Sequence, residues 1–328
     1  MFFSGDESSL RVKGVDFLLT FKCPSKCKHC SYKAGPKRVG CMKVADAEKY
    51  LKTLMETQPL QSITIHGGEP FLYFEDLTQI LEKAKELKVP QRWVITNGYW
   101  AITEAIATKK LCELKEAGLT HIVFSVDSFH QEYISLETVK TGLETATRVR
   151  FEHVVVDSYF IGDPNADNLY NIATRKAIEN LGTIAGVEIN RYRTGFEGRA
   201  AEQLTKYIEP KTGIPSGKCQ LPSWIGGDLK NPEGFEIDYE GNVTFCPGIC
   251  IGSTKTQSLA QILQNYDYSE HPILAPLAQE GPITLFKTAR ARGFQQRKFV
   301  DECHLCFESR KYLQPNYPRY LAPKDCYF

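Results

Sequence analysis

The sequence predicts an α/β protein: a parallel sheet with helical crossovers, followed by a smaller, loop-rich region. Three observations carry this. Over residues 15–193, short runs rich in β-branched and aromatic residues alternate with longer stretches bearing Lys, Glu and Leu at helical spacing. After residue 195 the alternation stops, and loops such as IEPKTGIPSGK and LPSWIGGDLKNPEG take over. Six of the eleven cysteines lie in that later region, at positions 219, 246, 250, 303, 306 and 326.

The strands are read in order as 16–22 (DFLLTFK), 62–65 (SITI), 92–96 (RWVIT), 121–126 (HIVFSV), 153–159 (HVVVDSY) and 187–193 (VEINRYR). Each has the length and composition of a buried strand. The helices between them are 44–57, 74–87, 101–117, 136–148 and 168–180, with Gly118 and Gly182 where C-caps belong. Regular βα repetition argues for a parallel sheet. Periodicity does not choose between an open doubly wound sheet and a full or partial barrel. Beyond the change of character, FEIDY-EGN-VTFC reads as a hairpin with Gly241 in its turn, and 259–266 and 283–292 as short helices. The division falls at 1–195 and 196–328.

Composition excludes several classes. With 40 Lys+Arg against 39 Asp+Glu, the net charge of +1 gives no electrostatic reason to expect nucleic acid or an anionic membrane. No apolar run approaches the ~20 residues that span a bilayer. The start, MFFSGDESSLRVK, lacks the features of a signal peptide, so a cytoplasmic location is expected. An odd number of cysteines in a large chain without an export signal points to ligands rather than disulfides.

Cys23, Cys27 and Cys30 fall within eight residues, directly after the first strand. Three thiolates on one loop can hold three corners of an iron–sulfur cube and leave the fourth iron open. A zinc knuckle completed by His29 or a distant cysteine is the competing reading. Next come Gly67-Gly68-Glu69-Pro70 at the end of the second strand and Thr96-Asn97-Gly98 after the third. In βα barrels the reactive site gathers at these strand ends.

The ordered set CxxxCxxC, GGEP, TNG on a βα-repeat chain resembles the radical S-adenosylmethionine (radical SAM) superfamily. The resemblance implies a partial (β/α)6 radical SAM barrel followed by a small loop-rich C-terminal domain whose β-hairpin holds an iron–sulfur cluster. It implies that Cys23, Cys27 and Cys30 ligate a 4Fe–4S cluster whose open iron takes the amino and carboxylate groups of SAM. Gly67, Gly68, Glu69 and Pro70 would serve the SAM amino group, with Asn97 nearby. Ser125 and Asp127 would hold the ribose hydroxyls, and an arginine of the sixth strand, Arg193 in preference to Arg191, would meet the SAM carboxylate. Cys219, the GxxxxC element ending in Cys246, and the pair Cys303 and Cys306 resemble the SPASM/twitch extension. This implies one auxiliary 4Fe–4S cluster on those four thiolates, with Cys250 and Cys326 unassigned. Cys112 reads as a small buried hydrophobe and Cys41 as a free thiol.

The resemblance further implies a 5′-deoxyadenosyl radical that takes a hydrogen atom from substrate, and a flavodoxin or ferredoxin-type reductant. The expected substrate is a peptide or protein side chain undergoing oxidation or cross-linking. Only 22 residues precede Cys23, too few for the N-terminal peptide-binding domain that many such enzymes carry. The alternative is dehydrogenation of a small-molecule alcohol. A non-catalytic iron–sulfur or zinc-binding protein is the alternative of another class. If a substrate hydroxyl needs a base, His130 or His66 has the right chemistry.

Overall fold

The computed structural model describes residues 10–328; the N-terminal stretch 1–9, on which part of the signal-peptide expectation rests, lies outside them. The first part of the chain runs β1 (Gly14–Thr20), α1 (Val44–Thr57), β2 (Ser62–Gly67), α2 (Phe74–Glu86), β3 (Gln91–Thr96), α3 (Glu104–Ala117), β4 (His121–Ser125), α4 (Leu136–Val149), β5 (His153–Phe160), α5 (Leu169–Leu181) and β6 (Val187–Arg193). Then follow α6 (Arg199–Gln203), β7 (Gly234–Asp238), β8 (Asn242–Cys246), β9 (Ile249–Ser253), α7 (Leu259–Gln264), α8 (Leu274–Glu280), α9 (Pro282–Ala291) and α10 (Glu302–Leu313).

All six expected βα strands are present, and all pair in parallel with their sequence neighbours. Local chemistry explains their helices. Thr103, Ser135 and Asn168 accept backbone N–H groups of the first turns of α3, α4 and α5, and Gly118 ends α3 in the left-handed region. β4 is buried along its whole length, as a central parallel strand should be.

The nine strands form one sheet in the order β6-β5-β4-β3-β2-β1-β7-β8-β9, and among the described residues β6 and β9 do not meet. The barrel is partial. The expected hairpin is β7–β8, and Gly241 in its turn has a positive φ of 83°. It does not stand apart from the first region. β7 lies parallel to β1 in continuous register, Gly14 beside Gly234 through Leu18 beside Asp238. One hydrophobic cluster also runs from Val15 and Leu51 through Phe235 and Phe245 to Phe307. The sequence reading omitted β9, α8 and α10. No helix among the described residues is long and apolar enough to cross a membrane.

Candidate functional site

The loop leaving β1 carries Cys23, Cys27 and Cys30, and it is held from both sides. Cys23 N donates to Gly35 O at 3.2 Å and Gly35 N returns a bond to Phe21 O at 3.0 Å, closing the loop on itself. Arg199, 5% exposed, donates from Nε to Cys27 O at 2.8 Å and from Nη2 to Ala34 O at 2.6 Å. Gly198 makes this approach possible. Its φ is +55°, and a Cβ there would lie 2.3 Å from Ser31 O. Arg199 is a functional residue the sequence reading missed, although it stands in the same EGRA run that follows the two arginines considered.

Burial pushes the Cys23 thiol well up, with the Glu69 carboxylate and then Cys27 and Cys30 adding to the shift. A buried thiol raised in this way is poorly stable as a thiolate alone, and an iron ion would supply the missing positive charge. These three residues therefore fit a cluster with an open corner. Cys27, His29 and His130 also bring ligand atoms within 4.8 Å of one another, a grouping that leaves Cys23 and Cys30 outside.

The end of β2 packs against that loop as closely as backbone allows. A Cβ at Gly67, whose φ is +124°, would meet Thr20 O at 2.4 Å, and one at Gly68 would meet Lys22 O at 2.1 Å. Both glycines line the cavity described below. Glu69 is placed differently from the expectation. It is wholly buried, and its carboxylate accepts from Phe71 N (3.1 Å), Thr96 Oγ1 (2.8 Å) and Asn97 N (2.8 Å). Burial raises its pKa to about 7 even against those bonds. Glu69 thus ties the end of β2 to the end of β3, and the neighbouring glycine backbone is left to face a ligand. Pro70 opens the short 3₁₀ turn that follows. Asn97 turns its Nδ2 toward Cys23 Sγ at 3.6 Å and accepts Tyr99 N through Oδ1.

Asp127 also departs from expectation. It has no exposed surface, and its carboxylate accepts from Phe129 N, His130 N and His130 Nδ1, each at 3.0 Å. Burial would raise the Asp127 pKa, but the charge of His130 outweighs it and holds the acid near 2. Its oxygens are spent on His130, so it is not free for a ribose. Ser125 does face the cavity, and Asp157, its neighbour in register on β5, faces it too. Of the two strand-end arginines, Arg193 lines the cavity.

The two candidate bases differ in setting. His130 is held by Asp127 and stands beside Cys27, where burial works against its charge and Asp127 raises its pKa well above the usual value. His66 belongs to a different polar group lining the same cavity. Its Nε2 lies 3.5 Å from Asp16 Oδ2, and Asp16, His66 and Glu236 gather within 4.8 Å across β1, β2 and β7. Glu236 accepts from Tyr32 Oη and, at 3.0 Å, from Trp224 Nε1; burial raises its pKa to about 7.

The second cysteine set comes from three places: Cys219 on the loop before β7, Cys246 at the end of β8, and Cys303 and Cys306 in the first turns of α10. Burial raises all four, and the Cys306 sulfur further raises Cys219, Cys246 and Cys303. Cys303 is exposed and lines the cavity described below. Cys250 and Cys326 are elsewhere. The first donates to Gly252 O at 3.1 Å, both are buried, and neither lines the cavity. Cys112 is exposed, contrary to the buried hydrophobe expected, because it lies on the outer side of α3. Cys41, half-buried, donates weakly to Met42 O.

A single cavity of about 1130 Å³ is lined by all seven of these cysteines, by Gly67 and Gly68, and by His66 and Asp16. Residues 17–174 match the model of the Radical SAM superfamily. The chain carries a radical SAM domain. YydG of Bacillus subtilis (strain 168), assigned by name to peptide biosynthesis, is 22% identical over 199 residues, 58% of each chain. GTP 3′,8-cyclase of Aquifex aeolicus (strain VF5) is 28% identical over 191 residues, 54% of this chain and 56% of that protein. The match thus spans little more than half the length of these relatives. Among solved structures, BtrN in complex with AdoMet and 2-DOIA aligns with a TM-score of 0.46 and 17% identity, over 78% of this chain and 83% of that one. Streptococcus suis SuiB bound to S-adenosylmethionine aligns with a TM-score of 0.44 and 13% identity, over 97% and 78%.

Proposed function

We propose that the protein is a radical SAM enzyme that oxidatively modifies a peptide or protein side chain. The observation that carries this is the one cavity reached by both cysteine sets. Cys23, Cys27 and Cys30 would hold a 4Fe–4S cluster with SAM on its open iron, which would supply a one-electron cleavage of SAM and so a radical able to take a hydrogen atom from substrate. Cys219, Cys246, Cys303 and Cys306 would hold a second cluster, which would supply an acceptor for the electron that a substrate radical must lose.

The chain's own part is placement. Arg199 and Gly198 fix the first loop, Gly67 and Gly68 offer backbone to the SAM amino group, and Glu69 holds their strand end in place. Ser125 and Asp157 offer oxygen to the ribose, and Arg193 offers a cation to the SAM carboxylate. Asp16 Oδ2 stands 3.5 Å from His66 Nε2, and His66, rather than the cluster-side His130, is the residue that takes a proton from substrate. The reductant is a flavodoxin or ferredoxin-type protein.

The peptide reading draws on YydG, whose name places that protein in peptide biosynthesis. A second reading, dehydrogenation of a small alcohol, is favoured by the Asp16–His66 pair, which suits a hydroxyl proton. The test is anaerobic reconstitution, then SAM and dithionite with a peptide library in one arm and polyols in the other. 5′-Deoxyadenosine with a two-hydrogen mass loss on a peptide supports the first reading, and the same loss on a polyol alone supports the second. No 5′-deoxyadenosine in either arm overturns both.

A further inference from the structure

Arg310 is an unusual cation. Its side chain is 1% exposed, yet Nε has no hydrogen-bond partner. Nη1 is used, donating to Pro247 O at 2.8 Å and Tyr327 Oη at 3.0 Å. Nη2 comes no closer than 3.8 Å to the Glu197 carboxylate, which in turn accepts from Cys246 Sγ at 3.4 Å. An unpaired N–H on a buried guanidinium is costly, and native proteins rarely leave one without a purpose.

Besides the rings of Phe307 and Tyr327, 5.9 and 5.7 Å from its guanidinium carbon, Arg310 has sulfur for neighbours, Cys306 and Cys246 among them. Cys303, Cys306 and Arg310 are spaced i, i+3 and i+7 on α10, so they share a face of that helix. The Arg310 charge lowers the pKa of Cys306 and of Cys246 and Cys219, against the burial that raises them. Neutral thiols are weak acceptors; thiolates and sulfides bound to iron are strong ones.

We propose that Arg310 donates its Nε–H to sulfur of the cluster held by Cys219, Cys246, Cys303 and Cys306, and that this buried cation raises the cluster's reduction potential. This rests on the second-cluster reading above. The sign follows from charge. Reduction adds one negative charge to the cluster, so a fixed cation in a low-dielectric surrounding stabilises the reduced form more. Arg310 is a positioning residue that makes the site a better electron acceptor, and Nη1 separately staples the β8–β9 turn to the C-terminal segment.

The test uses the full chain with Cys23, Cys27 and Cys30 changed to Ala, reconstituted anaerobically, so that only the second cluster is titrated by EPR. Arg310→Gln is expected to favour the oxidised form at least tenfold, a midpoint lower by about 59 mV for one electron. Arg310→Lys, which keeps the charge, is expected to shift it less. An unshifted midpoint in Arg310→Gln with full iron content overturns the proposal. Should that variant bind no iron, the chain that keeps Arg310 and lacks the three first-site cysteines, labelled with guanidino-15N arginine, decides. A 15N coupling to the reduced cluster supports the hydrogen bond, and its absence overturns it. Iron counting keeps the two readings apart. If Cys303→Ser loses no iron, it is the second cluster that fails.

Discussion

The two cysteine sites are built in opposite ways. The first places three thiols on one loop, and the chain around it needs only Arg199, Gly198 and the glycines of β2 to hold the shape. The second draws its four thiols from a loop, a strand end and a helix start up to 87 positions apart, counting from Cys219 to Cys306. The first is thus encoded locally and braced by neighbours, whereas the second exists only once the rest of the molecule has folded. Burial raises Cys23 at the first site and all four thiols of the second, where a metal would be the natural source of compensating charge.

The comparison can be broken most severely at the first site. Cys23→Ala is expected to reduce 5′-deoxyadenosine formation to background, measured by chromatography, with the second site's iron retained. Gly68→Ala is expected to come close to that effect. Its methyl would meet backbone oxygen rather than a movable side chain, so both SAM binding and the iron of the first site should fall. At the second site, Cys303→Ser is expected to lose about half of the iron, about four atoms. It should leave SAM cleavage intact while abolishing modified product; unchanged product yield would mean that site is no electron acceptor.

Arg199→Met sharpens the contrast, because it touches only the brace. Losing two charge-assisted bonds to buried carbonyls should lower unfolding free energy by about 3 kcal/mol. Iron loss on mild chelation should begin at the first site, followed by absorbance. The smallest effect is expected at Glu236, whose folded pKa lies near 7 because of burial, with His66 lowering and Asp16 raising it. A carboxyl raised in the folded state contributes stability fully at pH values below its unfolded pKa and loses it as pH rises toward 7. Glu236→Gln should therefore flatten the fall in melting temperature between pH 5 and 7, measured by calorimetry. An identical slope in the variant would show that Glu236 does not titrate there.

Much of this was legible in sequence where structure is local. The run 187–193 and the helix 44–57 match observed elements to the residue, because β-branched patterning and amphipathic spacing act within a few positions. The three-cysteine loop and the two glycines were also readable, as was the hairpin with Gly241. What escaped was non-local. Nothing in FEIDY announces that it will lie parallel to β1, and so Glu236 could not be placed beside Asp16 and His66. For Glu69 and Asp127 the sequence showed the strand ends but not the intramolecular partners. Their carboxylates satisfy backbone N–H groups that only the assembled strand ends bring into reach. Arg310 stood in a helix that was not recognised, behind a CxxC pair that drew attention to itself.

The pairing of β7 with β1 has a mechanical meaning. The strand that ends in the first cysteine loop is also the strand on which the hairpin bearing Cys246 is hung. The gap between the two sites is therefore spanned by cross-strand hydrogen bonds rather than by a linker. Electron tunnelling weakens steeply with every ångström of separation, so in the proposed reaction this stiff gauge would hold the second site at a set distance from a substrate radical formed beside the first.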